Sequence, residues 1–437
     1  MGMRRARRGA FALVAAAITA FSVVGCSGTA SAPNATYDPE EKVTLNFAFW
    51  GNDVRAGLYD QAIAAFNEEY PNISVNTSFL DFPAFWEKRQ TEAAGGGLPD
   101  VMQFDYSYLR QYSENGLLLD LAPYLGGIID TEPLSDNVLQ IGVVGDQTTA
   151  IPTSTNAWGL FLNPTLLQEV GIAPYAGSGS WEDYDSWMQE VSAAATKSGT
   201  ELWGGTDYTL RIQNFEIYQR ANGEDLFTSD GEPNFTEDDL RAFWELGADN
   251  RDDGTAIEEQ RLEEIAPLSG FDAGLTASEL TWDNFGAGYL ANLGEGFSEL
   301  DLVAPPVTKE GAKDLYLKPA MLHAISAKTK HPEAAATLLN FLINSPEVGK
   351  IFGTNRGLPA SETQLEGAQL DAGGEQIKAY EASIADRLGD APPVPIVGYG
   401  TLEQKFLELS REIGFGSITV DDAVTQFFSE MDVVVAQ

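Results

Sequence analysis

The chain is 437 residues long, carries 26 Lys plus Arg against 65 Asp plus Glu, and has a formal net charge of -39. Such a surface repels phosphate backbones and excludes a nucleic-acid role. The two histidines (His323, His331) and the single cysteine rule out imidazole or thiolate metal clusters and disulfides, so neither metal nor cofactor is expected.

Met1–Arg8 is a basic segment, and Ala10–Val24 is a fifteen-residue apolar or small-residue run. That is shorter than the roughly 20 residues of a spanning helix and has the length of a signal-peptide core. The run ends in Val23-Val24-Gly25-Cys26, which resembles the bacterial lipobox, where the thiol receives a diacylglycerol and the peptide is cut just before it. Two acyl chains anchor stably where one is marginal. The alternative is a plain secretory signal with an incidental thiol, and the paired arginines leave the export route open between Sec and twin-arginine. The expected division is a signal peptide over 1–25 and a small, polar tether over 26–41. The body would then stand on the extracytoplasmic face of the cell membrane, anchored through Cys26.

Val43–Phe49 alternates as a strand does. A helix follows from Asp53 to Tyr70, stopped by Pro71, then a strand over Ile73–Leu80, a helix over Phe82–Ala94 and a short strand over Val101–Phe104. Ala157–Asn163 reads as a strand, followed by a helix opened by Pro164 and closed by Gly171. Ser180 with Asp183, and Thr236 with Asp239, are capping boxes for helices over Trp181–Ala195 and Glu237–Ala248. Pro332 opens a helix to about Asn344, Ser345 caps the next, and two helices near Tyr399–Ile413 and Val420–Val434 end the chain. Strands alternating with helices argue for an open α/β sheet. About 395 mature residues exceed one core, so the pattern should divide into two lobes.

Four ordered segments carry a family resemblance. They are Phe49-Trp-Gly-Asn-Asp-Val-Arg55 with Ala65–Ile73, Gly95–Tyr106, Ala150–Asn163 through Ile172, and Leu317–Met321 through Pro359. Together they resemble the extracellular solute-binding proteins of bacterial sugar ABC transporters. The resemblance implies a two-lobed periplasmic-binding-protein-like (type II) α/β fold with an interlobe cleft and hinge. One lobe would comprise 42–156 and 316–362, the other 157–315 and 363–437, with crossings near Thr155, Tyr316 and Ser361. It further implies a monomeric, non-enzymatic receptor that closes on a di- or oligosaccharide and delivers it to ABC transporter permease subunits. One departure is Trp282-Asp-Asn-Phe285, where the family often has Trp-Ser-Asn-Gln. A surface glycan hydrolase using a carboxylate pair and an adhesion or scaffold protein are the competing readings.

Ligands of open α/β sheets bind beyond the carboxyl ends of strands. Trp50 could be a platform for a sugar ring, with Asn52 and Arg55 as hydrogen-bonding partners. The alternative is a packed Trp with Asn52 or Asp53 capping the helix. Asp105-Tyr106 follows the third strand in the same way, with helix capping as the alternative for Asp105. Trp86 is a further candidate from its helix. Asn156 falls on a crossing, and Trp282 with Asn284 at a strand end. Arg356, in a turn that reads as exposed, could clamp a hydroxyl or a carboxylate, which keeps uronic acids open. Tyr399 completes the set. Trp181, Trp187 and Trp244 read as core residues.

Overall fold

The computed structural model describes residues 37–436. The basic leader, the apolar run, Cys26 and the first part of the tether lie outside the described residues.

The first three strands are β1 (Val43–Trp50), β2 (Ile73–Leu80) and β3 (Val101–Phe104), separated by helices Asp53–Glu69 and Phe82–Gly95 as their periodicities predict. A small hairpin, β4 (Val143–Val144) with β5 (Gln147–Thr148), precedes β6 (Ala150–Leu162). Next come β7 (Ser278–Trp282), β8 (Asp301–Val303), β9 (Leu317–Ile325) and β10 (Leu358–Pro359). β1 lies parallel to β2 and β3, whereas β9 runs antiparallel to β3 and to β6. The main order is β10-β6-β9-β3-β1-β2.

β6 is the element on which the architecture turns. Its first half, Ala150–Ala157, pairs with β9 and β10, and its second half, Trp158–Leu162, pairs with β7 and β8. All thirteen of its residues are buried. The strand therefore begins seven residues earlier than the sequence reading placed it. Pro152 hides the first half, because it cannot donate to a ladder, and the register shifts between Pro152 and Ser154 and again before Thr155.

The period-two alternation of β1 distributes its side chains between two packing layers. Leu45, Phe47 and Phe49 enter a core with Tyr59, Phe66 and the helix Pro332–Asn344. Ala48 and Trp50 face the opposite layer with Phe85, Trp86, Phe104 and Tyr112. Along the second half of β6, Trp158, Leu160 and Leu162 pack with Trp181, Tyr184 and Trp187. Another core joins the helices Ile212–Asn222, Glu237–Leu246, Tyr399–Gly414 and Val420–Val435 around Phe215, Trp244, Phe406 and Phe427. Trp181, Trp187 and Trp244 are thus core residues. Both capping boxes form, at Ser180–Asp183 and Thr236–Asp239. Ser345 precedes the helix Pro346–Phe352 but makes no side-chain capping bond.

Candidate functional site

A cavity of about 870 Å³ opens beside the carboxyl ends of β1 and β3. From the loops after these strands come Arg55 and Asp105-Tyr106-Ser107; β6 supplies Asn156, near where its pairing passes from β9 to β7. The end of β7 supplies Trp282, followed by Asp283 and Asn284 in a turn of 3-10 helix. The start of β9 supplies Lys318 and Met321, the turn before β10 supplies Asn355 and Arg356, and Tyr316 and Tyr399 complete the aromatic wall.

Local structure fixes these groups. Asp105 caps the helix Tyr106–Glu114, its Oδ1 accepting from Ser107 N at 3.0 Å, and it lines the cavity as well, so one residue meets both readings of its position. The Tyr106 hydroxyl donates to Pro392 O at 3.2 Å, and Arg110 donates to Val394 O at 2.7 Å. These bonds pin the 392–395 loop over one side of the cavity. Gly357 follows Arg356 with φ +97°, and a Cβ there would lie 3.2 Å from Thr155 O and 3.3 Å from Asn156 Oδ1. Only glycine lets this turn close against the β6 crossing.

Eight of the eleven sequence candidates line the cavity: Arg55, Asp105, Tyr106, Asn156, Trp282, Asn284, Arg356 and Tyr399. Trp50, Asn52 and Trp86 do not. Trp50 is buried between Phe82, Phe85 and Trp86, with ring centroids 5.4–6.1 Å away. The alternation of β1 sends its ring into the layer beneath the site. Trp86 is 2% exposed and stacks on Tyr108 at 3.8 Å. Asn52 is the N-cap of the helix Asp53–Glu69, accepting from Arg55 N at 3.1 Å. Arg356 lines the cavity but not from an exposed turn. It is 3% exposed, and its guanidinium lies 3.9 Å over the Phe352 ring, within 3.5 Å of Tyr59 Oη and Gln364 Oε1. Neighbouring Gly357 makes the turn look exposed in sequence, but Phe352, six residues after Pro346, folds back beneath it.

Sequence reasoning missed Glu216, Asp225, Tyr316, Lys318, Asp371 and Glu403 as lining residues. Tyr316 and Lys318 fell within segments already singled out, whereas the four carboxylates carry no local signal that separates them from the other acids. Glu216 is buried and accepts from the Tyr316 hydroxyl. Burial pushes its carboxyl up to about 7, with the Tyr316 bond and Arg220 opposing. Asp283 Oδ2 accepts from Ala157 N at 2.9 Å, and Thr155 Oγ1 lies 3.4 Å from both Glu381 carboxylate oxygens. Burial raises both Asp283 and Glu381 above the usual carboxylate range, and the neighbouring Asp283 raises Glu381 further. Lys318 Nζ sits 4.8 Å over the Trp282 ring. An aromatic wall with convergent amides, hydroxyls and carboxylates suits a hydroxyl-rich ligand held by directional hydrogen bonds.

This α/β fold, with its cavity at strand ends, is periplasmic-binding-protein-like. The family model for bacterial extracellular solute-binding proteins matches residues 52–348, and the chain belongs to that family. It is similar to a family 1 extracellular solute-binding protein from Alicyclobacillus acidocaldarius (27% identity, TM-score 0.77, covering 92% of this chain and 100% of that one). It is similar in fold to a periplasmic oligogalacturonide-binding protein from Yersinia enterocolitica (21%, TM-score 0.78, 90% and 99%). A third similar structure is the GacH receptor of Streptomyces glaucescens, solved without ligand and with acarbose (17%, TM-score 0.64, 91% and 100%). No helix among the described residues is long and apolar enough to cross a membrane.

Proposed function

We propose that the chain is a lipid-anchored extracytoplasmic receptor that captures a di- or oligosaccharide and passes it, chemically unchanged, to an ABC importer. The observation that carries this reading is the cavity of about 870 Å³, in which Trp282, Tyr106, Tyr316 and Tyr399 stand among amides and carboxylates. Its volume is near the top of the roughly 300–1,000 Å³ range of small-molecule sites, which favours more than one sugar ring. The saccharide ligands of the Yersinia and Streptomyces proteins support the same class.

The proposed mechanism is closure of two lobes, 42–156 with 316–362 and 157–315 with 363–437. In this reading the hinge would run through crossings near Thr155, Tyr316 and Ser361. A ligand touched from both sides only in the closed form shifts the equilibrium toward it. The anchor would be the acylated thiol of Cys26.

A thermal-shift screen against a saccharide library tests the reading, since a ligand of the folded state alone raises the melting temperature. One saccharide should stabilise the protein and be recovered intact, and Trp282→Ala should weaken its binding by tenfold or more. Absence of any saccharide response would overturn the receptor reading; new reducing ends formed at a catalytic rate would replace it with the hydrolase.

A further inference from the structure

Resting on that reading, we infer that the cavity takes saccharides free of carboxylates and discriminates against uronic acids. Among the cations of the lining, Arg356 is sleeved by Phe352 and Tyr59, and Arg55 lies within 3.5 Å of Trp50 O and Asn355 O. Lys318, the third, rests on the face of Trp282. A carboxylate ligand is held best by a free guanidinium fork or an array of donors. The two guanidinium groups face protein partners, and the Lys318 ammonium alone of the three cations makes no hydrogen bond to protein among the described residues, a single point charge against six carboxyl groups.

Acceptors outnumber cationic donors in the lining. Asn156 is 8% exposed, and its carboxamide oxygen is buried without a hydrogen bond. That oxygen stands against the Gly357 turn rather than open to the cavity. Asp105, Glu216, Asp225, Asp283, Asp371 and Glu403 bring carboxyl groups to the same lining, six against the three cations. Burial neutralises part of this set by raising Glu216 and Asp283. Asp225 is paired with Arg220, but Asp105, Asp371 and Glu403 have no ion-pair partner within 4.0 Å among the described residues. Each of these three accepts a protein hydrogen bond, from Ser107, Gly374 and Gln213 respectively. Hydroxyl and ammonium groups would suit their remaining lone pairs, while a uronate would oppose their charge. The net charge of -39 adds a long-range field that repels polyanionic sugars before they arrive.

The test uses the full chain and trisaccharides in glucose, galactose and mannose series, each as the neutral, 2-amino and 6-carboxylate form. Calorimetry at low salt should find the uronate weaker than its neutral counterpart by about tenfold or more in the series that binds. Because the repulsion is screened, the gap should shrink at high salt. It should also shrink in the Asp371→Asn, Glu403→Gln double variant, whose changes are exposed and keep the Asp371 helix cap as Asn. A uronate bound as tightly as its neutral counterpart overturns this inference and leaves the receptor reading standing. If no form in any series binds, the receptor reading itself fails and takes the inference with it.

Discussion

Replacing Glu216 by Gln makes a stability prediction whose sign depends on burial. The side chain lies on the helix Ile212–Asn222, is 7% exposed, and accepts a hydrogen bond from Tyr316. Burial first, opposed by Tyr316 and Arg220, pushes its pKa from 4.5 up to about 7. Between these values the folded protein binds more protons at this site than the unfolded chain, so stability falls as pH rises. At about 1.4 kcal/mol per unit, the full effect is about 3 kcal/mol, nearly absent at pH 4 and fully developed by pH 8. Gln keeps an acceptor for Tyr316 and does not titrate. Urea denaturation of both proteins at pH 4 and pH 8 gives the difference of differences. Any constant offset from the amide then cancels. Asp185 and Asp283, both also raised by burial, are present in both proteins and cancel too. The wild type should lose about 3 kcal/mol more than Glu216→Gln between the two pH values. Parallel losses would show that Glu216 is not a carboxyl kept protonated by burial.

Trp50→Ala removes a ring packed against Phe85 and Trp86 and should cost about 3–5 kcal/mol in denaturation. Ligand affinity of the folded fraction should stay unchanged; lost affinity at full folding would return Trp50 to the site. Gly357→Ala forces a side chain into φ +97° against Thr155 O and Asn156 Oδ1, and should lower stability by about 1–3 kcal/mol. It should also weaken ligand binding, and a variant with wild-type melting and affinity would refute the tight turn. Trp282→Ala should fold normally, because the ring is only partly buried, yet lose the saccharide-induced melting shift.

Much of the fold was legible because it rests on local periodicity and punctuation. The alternation of Val43–Phe49, Pro71 after the first long helix, and the Ser180 and Thr236 boxes each act within a few residues. The start of β6 was not, since a proline and a bulge interrupt its pattern while partners distant in sequence, β9 and β10, hold it in the ladder. Strand ends bring Arg55, Asp105 and Tyr106 to the cavity lining, as their position after β1 and β3 leads one to expect. Position alone could not tell which face of β1 its final Trp would take, so Trp50 was assigned to the cleft while its ring lies in the core. Arg356 lines the cavity but is buried where its turn reads as exposed, because Phe352 and Tyr59 reach it from other elements. The carboxylates Glu216, Asp371 and Glu403 come from three separate helices or their caps and converge only through tertiary packing.

Small-angle scattering with and without the saccharide that most raises the melting temperature measures directly whether the proposed receptor closes over its sugar. A smaller radius of gyration at saturation, with the sugar recovered whole, is the predicted outcome. Saturating binding that leaves the scattering curve unchanged would contradict closure.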